Sequence, residues 1–417
     1  MITATPIRLL TLALLLVSAL PGAAATLDAD EFVAAVLIAH PDVDAATAAV
    51  DAAAARQRFA AELDDPQLSY SLAPATLGDA VGTRQIAQLS QTLPWPGTLA
   101  TKAALAERQT AAARAGRDTT LAALTESARQ GWLDWWYVHA ALELNAEALA
   151  ALRPLLPATT GQYAAGGGSQ LELLRAEAAL DALAVERVRL EQQRRRVRAG
   201  LNALRDAPAQ ARVEPPGPLP AHAPGTAAAA LDVEDDPRLR TISDAVAAAA
   251  VEVELAELSG KPNFRASLGY VGTLDPADKR LQAGISLNIP LNRARRRAEV
   301  GAARADLRRL EAQRRELRRR LDATADIERS GLQEAEQLIA LYVESLLPRA
   351  REAARAADLD YRAGRADFAT LVAAEQQRIR TERELAGAQA DRWRAAARLE
   401  RLRPGAFWPI GATTEGR

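Results

Sequence analysis

Residues 264–271 read FRASLGYV and residues 281–291 read LQAGISLNIPL. In the first, Phe264, Ala266, Leu268 and Tyr270 alternate with Arg265, Ser267, Gly269 and Val271. In the second, Leu281, Ala283, Ile285, Leu287, Ile289 and Leu291 alternate with Gln282, Gly284, Ser286, Asn288 and Pro290. Successive side chains of a strand point to opposite faces, so this period of two describes strands lying between two different surroundings. The pattern predicts strands over about 264–273 and 280–291, with Asp275-Pro276-Ala277-Asp278 as the turn. About ten residues is the length of a tilted strand that crosses a bilayer. Its apolar face would then meet lipid and its polar face water. A soluble sheet half buried on helices shows the same alternation, and the strands alone leave both readings open.

The pattern recurs earlier in the chain. Leu68, Tyr70 and Leu72 alternate on one segment and Ala87, Leu89 and Leu93 on the next, predicting strands over about 67–78 and 84–94 with Gly78-Asp79 near the turn. Other landmarks repeat in the same order. His40-Pro41 matches Asp236-Pro237 at an offset of 196 residues, and Asp65-Pro66 matches Lys261-Pro262 at the same offset. Residues 89–94 (LSQTLP) match residues 285–290 (ISLNIP), again at 196, and Tyr163-Ala164-Ala165-Gly166 matches Tyr361-Arg362-Ala363-Gly364 at 198. A unit this long is a duplicated domain, not a solenoid repeat. The reading is a first repeat at 26–206, a proline-rich linker at 207–232, a second repeat at 233–403 and a tail at 404–417. Pro208, Pro215, Pro216, Pro218, Pro220 and Pro224 favour an extended linker.

Each half has one grammar: a helical stretch (about 28–63 and 233–260), two strands, a very long helical stretch, a Tyr-x-x-Gly break, and a last helix (about 169–206 and 365–403). The stretch from Pro290 to Gly364 would span roughly 100 Å at 1.5 Å per residue if continuous. Leu307, Leu310, Leu317 and Leu321 form a coiled-coil-like stripe among arginines. Trp132, Trp135, Trp136 and His139 fall on one helical face, which reads as helix packing, with His139 a packed side chain and not a ligand. The fold class is therefore mainly α with a small β part.

Composition narrows the function. The 417 residues carry a formal net charge of −1, without the basic excess of a nucleic-acid binder. Cysteine is absent and the three histidines (His40, His139, His222) are far apart, which leaves no zinc finger, disulfide framework or cysteine nucleophile. No phosphate loop, nucleophile elbow or metal-ligand cluster is written in the chain, so no catalytic, cofactor or metal residue is expected. Arg8, the apolar run Leu9 to Leu20, the break at Pro21-Gly22 and Ala23-Ala24-Ala25 read as a signal peptide over 1–25, with a mature start at Thr26. No later stretch is apolar enough for a transmembrane helix, so entry into a membrane would be by strands. Four strands cannot close a barrel, since the smallest membrane barrels have about eight. A membrane barrel would have to be shared between copies.

Together the signal, the duplication, the strand pairs and the Tyr-x-x-Gly hairpins resemble the outer-membrane factors, the TolC-like efflux family, over nearly the whole mature chain. The segment Gln91-Thr92-Leu93-Pro94-Trp95-Pro96-Gly97 is similar to the strand-to-helix junction of the heavy-metal (cobalt-zinc-cadmium) efflux branch. Residues 361–368 (YRAGRADF) are similar to the family's periplasmic tip. The resemblance implies a homotrimer with a twelve-stranded outer-membrane barrel and a helical tunnel through the periplasm. It also implies docking onto a periplasmic adaptor and an inner-membrane pump. Tyr163, Gly166, Tyr361, Gly364 and Arg365 would form the docking tip. The family's gate aspartates fall here on Thr370 and Ala373, leaving Glu172 and Glu375 as candidate pore charges. Arg293, Arg295, Arg296 and Arg297 would sit at the lipid headgroups or the barrel rim. A soluble periplasmic coiled-coil adaptor is the alternative. It accounts for the helices and the signal but not for strand pairs at matching places in both halves. A periplasmic enzyme using scattered carboxylates lacks any paired acid–base constellation.

Overall fold

The structure, a computed structural model, describes residues 26–73, 84–164, 169–219, 233–273 and 280–402. The signal segment 1–25 and the tail 404–417 lie outside the described residues, as do 220–232 of the linker. Helices α1 (Ala29–Ala39) and α2 (Pro41–Phe59) lead into strands β1 (Gln67–Ala73) and β2 (Arg84–Leu93). Helix α3 (Thr98–Leu152) continues through a 3-10 turn into α4 (Leu156–Ala164), and α5 (Gln170–Leu204) returns. The second half gives α6 (Pro237–Leu258), β3 (Phe264–Thr273), β4 (Arg280–Leu287), α7 (Arg293–Leu341), α8 (Leu347–Arg362) and α9 (Phe368–Arg401). Helices α2 and α6 both begin on a proline, Pro41 and Pro237, behind a capping residue, His40 and Asp236.

Two boundaries differ from the sequence reading. The helical stretch expected over 28–63 is two helices bent by 51° and ending at Phe59. The residue before a proline is pushed out of the α region, and His40 is extended (φ −74°, ψ 126°). Strand β4 stops at Leu287 instead of 291. The Asn288 amide still reaches the Asn263 carbonyl at 3.2 Å, but Pro290 has no N–H to continue the ladder. Strand β1 is described to Ala73, and the rest of the expected 67–78 lies outside the described residues.

The long helices govern the shape. Helix α3 has 55 residues, about 80 Å at 1.5 Å per residue. Residues 293–362 are helical throughout, with a π-helical turn at Tyr342–Leu346 just before Pro348. A proline clashes with the carbonyl four residues back, and an i→i+5 turn at that point relieves the conflict without ending the helix. The Leu347 amide accordingly donates to the Tyr342 carbonyl. Packing runs along narrow seams instead of around one thick core. Helix α3 touches α1, α2, α5, α6 and α9. Alanine is the commonest buried residue of α3 and its neighbours, and Ala128, Ala148, Ala176 and Ala390 have no exposed area. Small side chains allow the close approach of straight helices over such lengths.

One thicker cluster lies midway along α3. Trp132, Trp135 and Val138 pack with Phe32, Val33 and Val36 of α1. His139 meets Trp135 edge-on at 4.4 Å, as a packed side chain. Burial, and then the nearby Arg194 charge, lower its pKa. The described part of the proline-rich linker is strapped to this cluster. Trp135 Nε1 donates to the Glu214 carbonyl at 2.9 Å, and Trp132 Nε1 to the Leu27 carbonyl at 2.9 Å. Leu27 in turn bridges Pro216. Charge fixes helix register elsewhere: Arg383 of α9 pairs with Glu186 of α5 at 2.8 Å, Arg394 with Asp134 of α3 at 2.5 Å, and Arg401 with Glu126 of α3.

Close packing at alanine makes a direct prediction. Ala128→Leu forces three extra carbons into a filled seam and should destabilise the chain by about 1–3 kcal/mol. The check is thermal unfolding followed by circular dichroism, with a lower midpoint expected.

Candidate functional site: a two-faced sheet and a hairpin tip

The four strands form one antiparallel sheet in the order β1-β2-β3-β4. Its register sorts the side chains cleanly. Leu68, Leu89, Leu268 and Ala283 align across the sheet, as do Tyr70, Ala87, Tyr270 and Leu281. Between these rows lie Ser69, Gln88, Gly269 and Gln282, and beyond the first of them Gln67, Ser90, Ser267 and Gly284. One face is thus apolar and the other small and polar. The apolar face is open: Leu68 is 76%, Leu281 74% and Ile285 83% exposed. A contiguous apolar surface of this kind marks a membrane or a partner. Two glutamines interrupt it, each with a polar partner. Gln91 Nε2 donates to the Asp64 carbonyl at 2.7 Å, and Gln85 Oε1 accepts from the Tyr70 hydroxyl at 3.2 Å.

Both ends of the apolar face are aromatic. Tyr70 and Tyr270 lie towards the β1–β2 and β3–β4 turns. At the helix end Trp95 stacks on Phe264 at 5.9 Å, with Lys261 Nζ 5.9 Å above the Trp95 ring. The Trp95 amide donates to Asn263 Oδ1 at 3.3 Å, and the Asn263 amide to Asn288 Oδ1 at 2.5 Å, which ties the sheet to its helices. Gly97 makes the turn into α3 with φ 93°, a conformation that disfavours any side chain. Amphipathic rings of this kind gather at membrane interfaces. Sequence reasoning singled out the 91–97 motif but missed its partners, because Asn263 and Phe264 are about 170 residues away in sequence and joined only by the strand register.

At the far end of the helices, the second hairpin turns at Gly364 with φ 70°. The Arg365 amide bonds the Asp360 carbonyl at 2.8 Å and the Gly364 amide bonds the Tyr361 carbonyl at 3.0 Å. This is a Schellman closure, which satisfies the last carbonyls of α8. Arg365 Nη2 also reaches Asp360 Oδ1 at 2.6 Å. Asp367 caps α9, accepting from the Thr370 amide at 2.9 Å and from its hydroxyl. These two hydrogen bonds, the hydroxyl's first, lower the Asp367 pKa. Tyr361 packs on Phe368 at 5.8 Å and shares a hydrogen bond of 3.2 Å with Thr159 of α4, so the two hairpins are joined. Tyr163 is exposed, and Gly166 lies outside the described residues.

The other candidate positions have local partners. Glu172 closes a capping box with Ser169 at the start of α5. Glu375 is largely covered and pairs with Arg378 Nε at 2.8 Å, while Arg378 also meets Glu382 at 2.7 Å. Thr370 serves the Asp367 cap and Ala373 is exposed. Arg293 and Arg297 are exposed at the start of α7, and Arg295 pairs with Glu299 at 2.8 Å. Among the described residues no three His, Asp or Glu side chains gather as a metal site, and no single helix is long and apolar enough to cross a membrane.

No protein-family model matches the chain, and no curated protein matches it. Its fold is that of several solved structures. The outer-membrane channel OprN superposes with a TM-score of 0.78 at 20% identity, over 91% of this chain and 90% of that one. CusC, described in terms of folding and transmembrane channel formation, gives 0.79 at 15% identity over 90% and 92%. The outer membrane protein VceC from Vibrio cholerae gives 0.77 at 16% identity over 91% and 96%. At these identities the likeness establishes the fold.

Gly364 provides a local test. Nothing lies within 4 Å of a side chain built there, so the strain of a substitution is in the backbone alone. Gly364→Val should cost about 1–2 kcal/mol locally. Amide hydrogen exchange should quicken around residues 359–370 and stay unchanged in α3 and the sheet.

Proposed function

We propose that the chain is the outer-membrane channel of a tripartite efflux pump. Three copies enclose a passive conduit that carries substrate from a periplasmic adaptor and an inner-membrane pump to the exterior. One observation carries the reading: an open four-stranded sheet with one lipid-compatible face sits at the end of a helical hairpin tens of ångströms long. Unpaired backbone groups cannot face lipid, so such a sheet enters a membrane only when other strands close its edges. Three copies of four strands make twelve, within the range of known barrels. The fold shared with OprN, CusC and VceC supports the same assignment. Cleavage after Ala25 would deliver the chain to the periplasm, from which the barrel inserts.

The helical part then stands in the periplasm with both hairpins at its far end. Tyr163, Gly166, Tyr361, Gly364 and Arg365 form the surface for the adaptor. Gly364→Val should leave trimers in the outer membrane while export is lost. Glu172 and Glu375 would supply charge near the tunnel entrance. The likeness of residues 91–97 to the heavy-metal branch makes metal cations one candidate cargo. A soluble adaptor is disfavoured by the open apolar sheet face, which would promote aggregation in water.

Two substitutions test the membrane reading. Arginine at Ile285, on the apolar face, should cost about 2–4 kcal/mol near mid-bilayer and deplete the outer-membrane fraction. Arginine at Ser286, one residue on and facing the lumen, should insert normally. Equal loss at both positions would contradict a lipid–water division of the two faces.

A further inference from the structure

The four strands contain no aspartate or glutamate. Their charged residues are Arg84, Arg265 and Arg280. Register puts Arg265 on the polar side, and positions 84 and 280 fall in the polar rows. Arg265 stands in the row of Thr92 and Ser286, position 84 faces position 273, and position 280 faces Val271. None of the three falls in an apolar row. Arg265 is exposed, and its neighbours in the row, Thr92 and Ser286, carry no charge. The remaining positions of the polar face are mainly Ser, Gln, Gly and Thr.

From this we infer that the barrel lumen is an anion-selective conduit, so that its preferred cargo bears carboxylate, sulfonate or phosphate groups and bare divalent cations are disfavoured. The inference rests on the channel reading above, since only barrel closure turns the polar face into a lumen wall. Closure by three copies arranges the arginines as two belts. One, at the helix end, holds Arg265 from each copy. The other, towards the turns, holds Arg84 and Arg280. Between them lie six to eight residue steps, roughly 20–26 Å along the strand. Rings of arginine or lysine at a constriction attract anions and repel cations. Low-dielectric walls focus that field, and here no wall carboxylate offsets it. The heavy-metal cations suggested by residues 91–97 would then have to pass as anionic complexes or against this barrier.

The turn segments 74–83 and 274–279, outside the described residues, carry Asp79, Asp275, Asp278 and Lys279 in the sequence. Mouth charge is therefore kept constant by substituting the wall alone. The experiment is the reversal potential of the purified full-length assembly in planar bilayers under a potassium chloride gradient. The inference expects a chloride-to-potassium permeability ratio above unity in the parent. It expects the ratio to fall towards unity in Arg265→Gln, and further in Arg84→Gln/Arg265→Gln/Arg280→Gln. A working channel that prefers potassium overturns the inference and leaves the channel reading intact. So does a ratio unchanged by the triple substitution. If the variants fail to assemble, the parent's reversal potential still decides. Absence of any conductance in the parent would remove the channel reading, and this inference with it.

Discussion

A β-strand at the edge of a sheet carries a row of amide and carbonyl groups with no partner. In water these groups are hydrated; in lipid each costs several kcal/mol. Strands β1 and β4 are such edges, each paired on one side only. The face they border is apolar and open, unfit for water. The two conditions conflict for a single chain, and a closed ring of strands would reconcile them. On the proposed channel reading, assembly, placement in a membrane and a lumen all follow from that one requirement. A lumen in turn gives meaning to the polar rows, which would otherwise be an ordinary solvated sheet face.

The helices answer a different constraint. On the channel reading a conduit across a wide compartment needs length without bulk, and α3 and the α7–α8 run provide it as long helices packed along alanine-rich seams. Alanine seams give little grip against sliding. Ion pairs along α9 provide that grip: its Arg383, Arg394 and Arg398 reach α5, α3 and α7, and its Glu382 accepts from Arg351 of α8. Partly exposed pairs contribute little net stability, so their consequence here is register. At the tip, Gly364 and the Asp367 cap make the chain reverse within a few residues. Tyr361 ties that reversal to the other hairpin.

Much of this was legible in the sequence because periodicity is local. The alternation in 264–271 and 281–287 located the strands, and the Tyr-x-x-Gly repeat located the turn that Gly364 makes. Failures came where a competing local rule or a distant contact decided. Pro41 and Pro290 cut elements that the hydrophobic pattern alone would have extended. The π-helical turn before Pro348 and the strapping of the linker by Trp132 and Trp135 carry no periodic signature. The partners of Glu172 and Glu375 were invisible for another reason. A glutamate three residues from a serine or an arginine is common, and only geometry shows that Ser169 and Arg378 engage them. Arg265 was quoted as part of an alternation, but that positions 84 and 280 share its side of the sheet emerged only from the register of the strands.

The central claim is that β1 of one copy closes on β4 of the next, and the duplication forecasts how. Ser90 of β2 faces Ser267 of β3 within the chain. Transferring that pairing by the offset of 196 residues puts Ser286 of one copy opposite Ser71 of the next. The hairpin registers instead give an offset of 198 (265 − 67), since Gln67 faces Ser90 where Arg265 faces Ser286; that places Ser286 opposite Ser69. Directly opposed residues lie close enough for a disulfide, and the chain has no cysteine of its own. The decisive measurement is oxidative cross-linking of Ser286→Cys/Ser71→Cys and Ser286→Cys/Ser69→Cys in membranes, read on a non-reducing gel. A species of three chains that collapses to one on reduction, in at least one of the two variants, is the predicted result. No intermolecular bond in either, or a ladder running beyond three chains, would contradict closure.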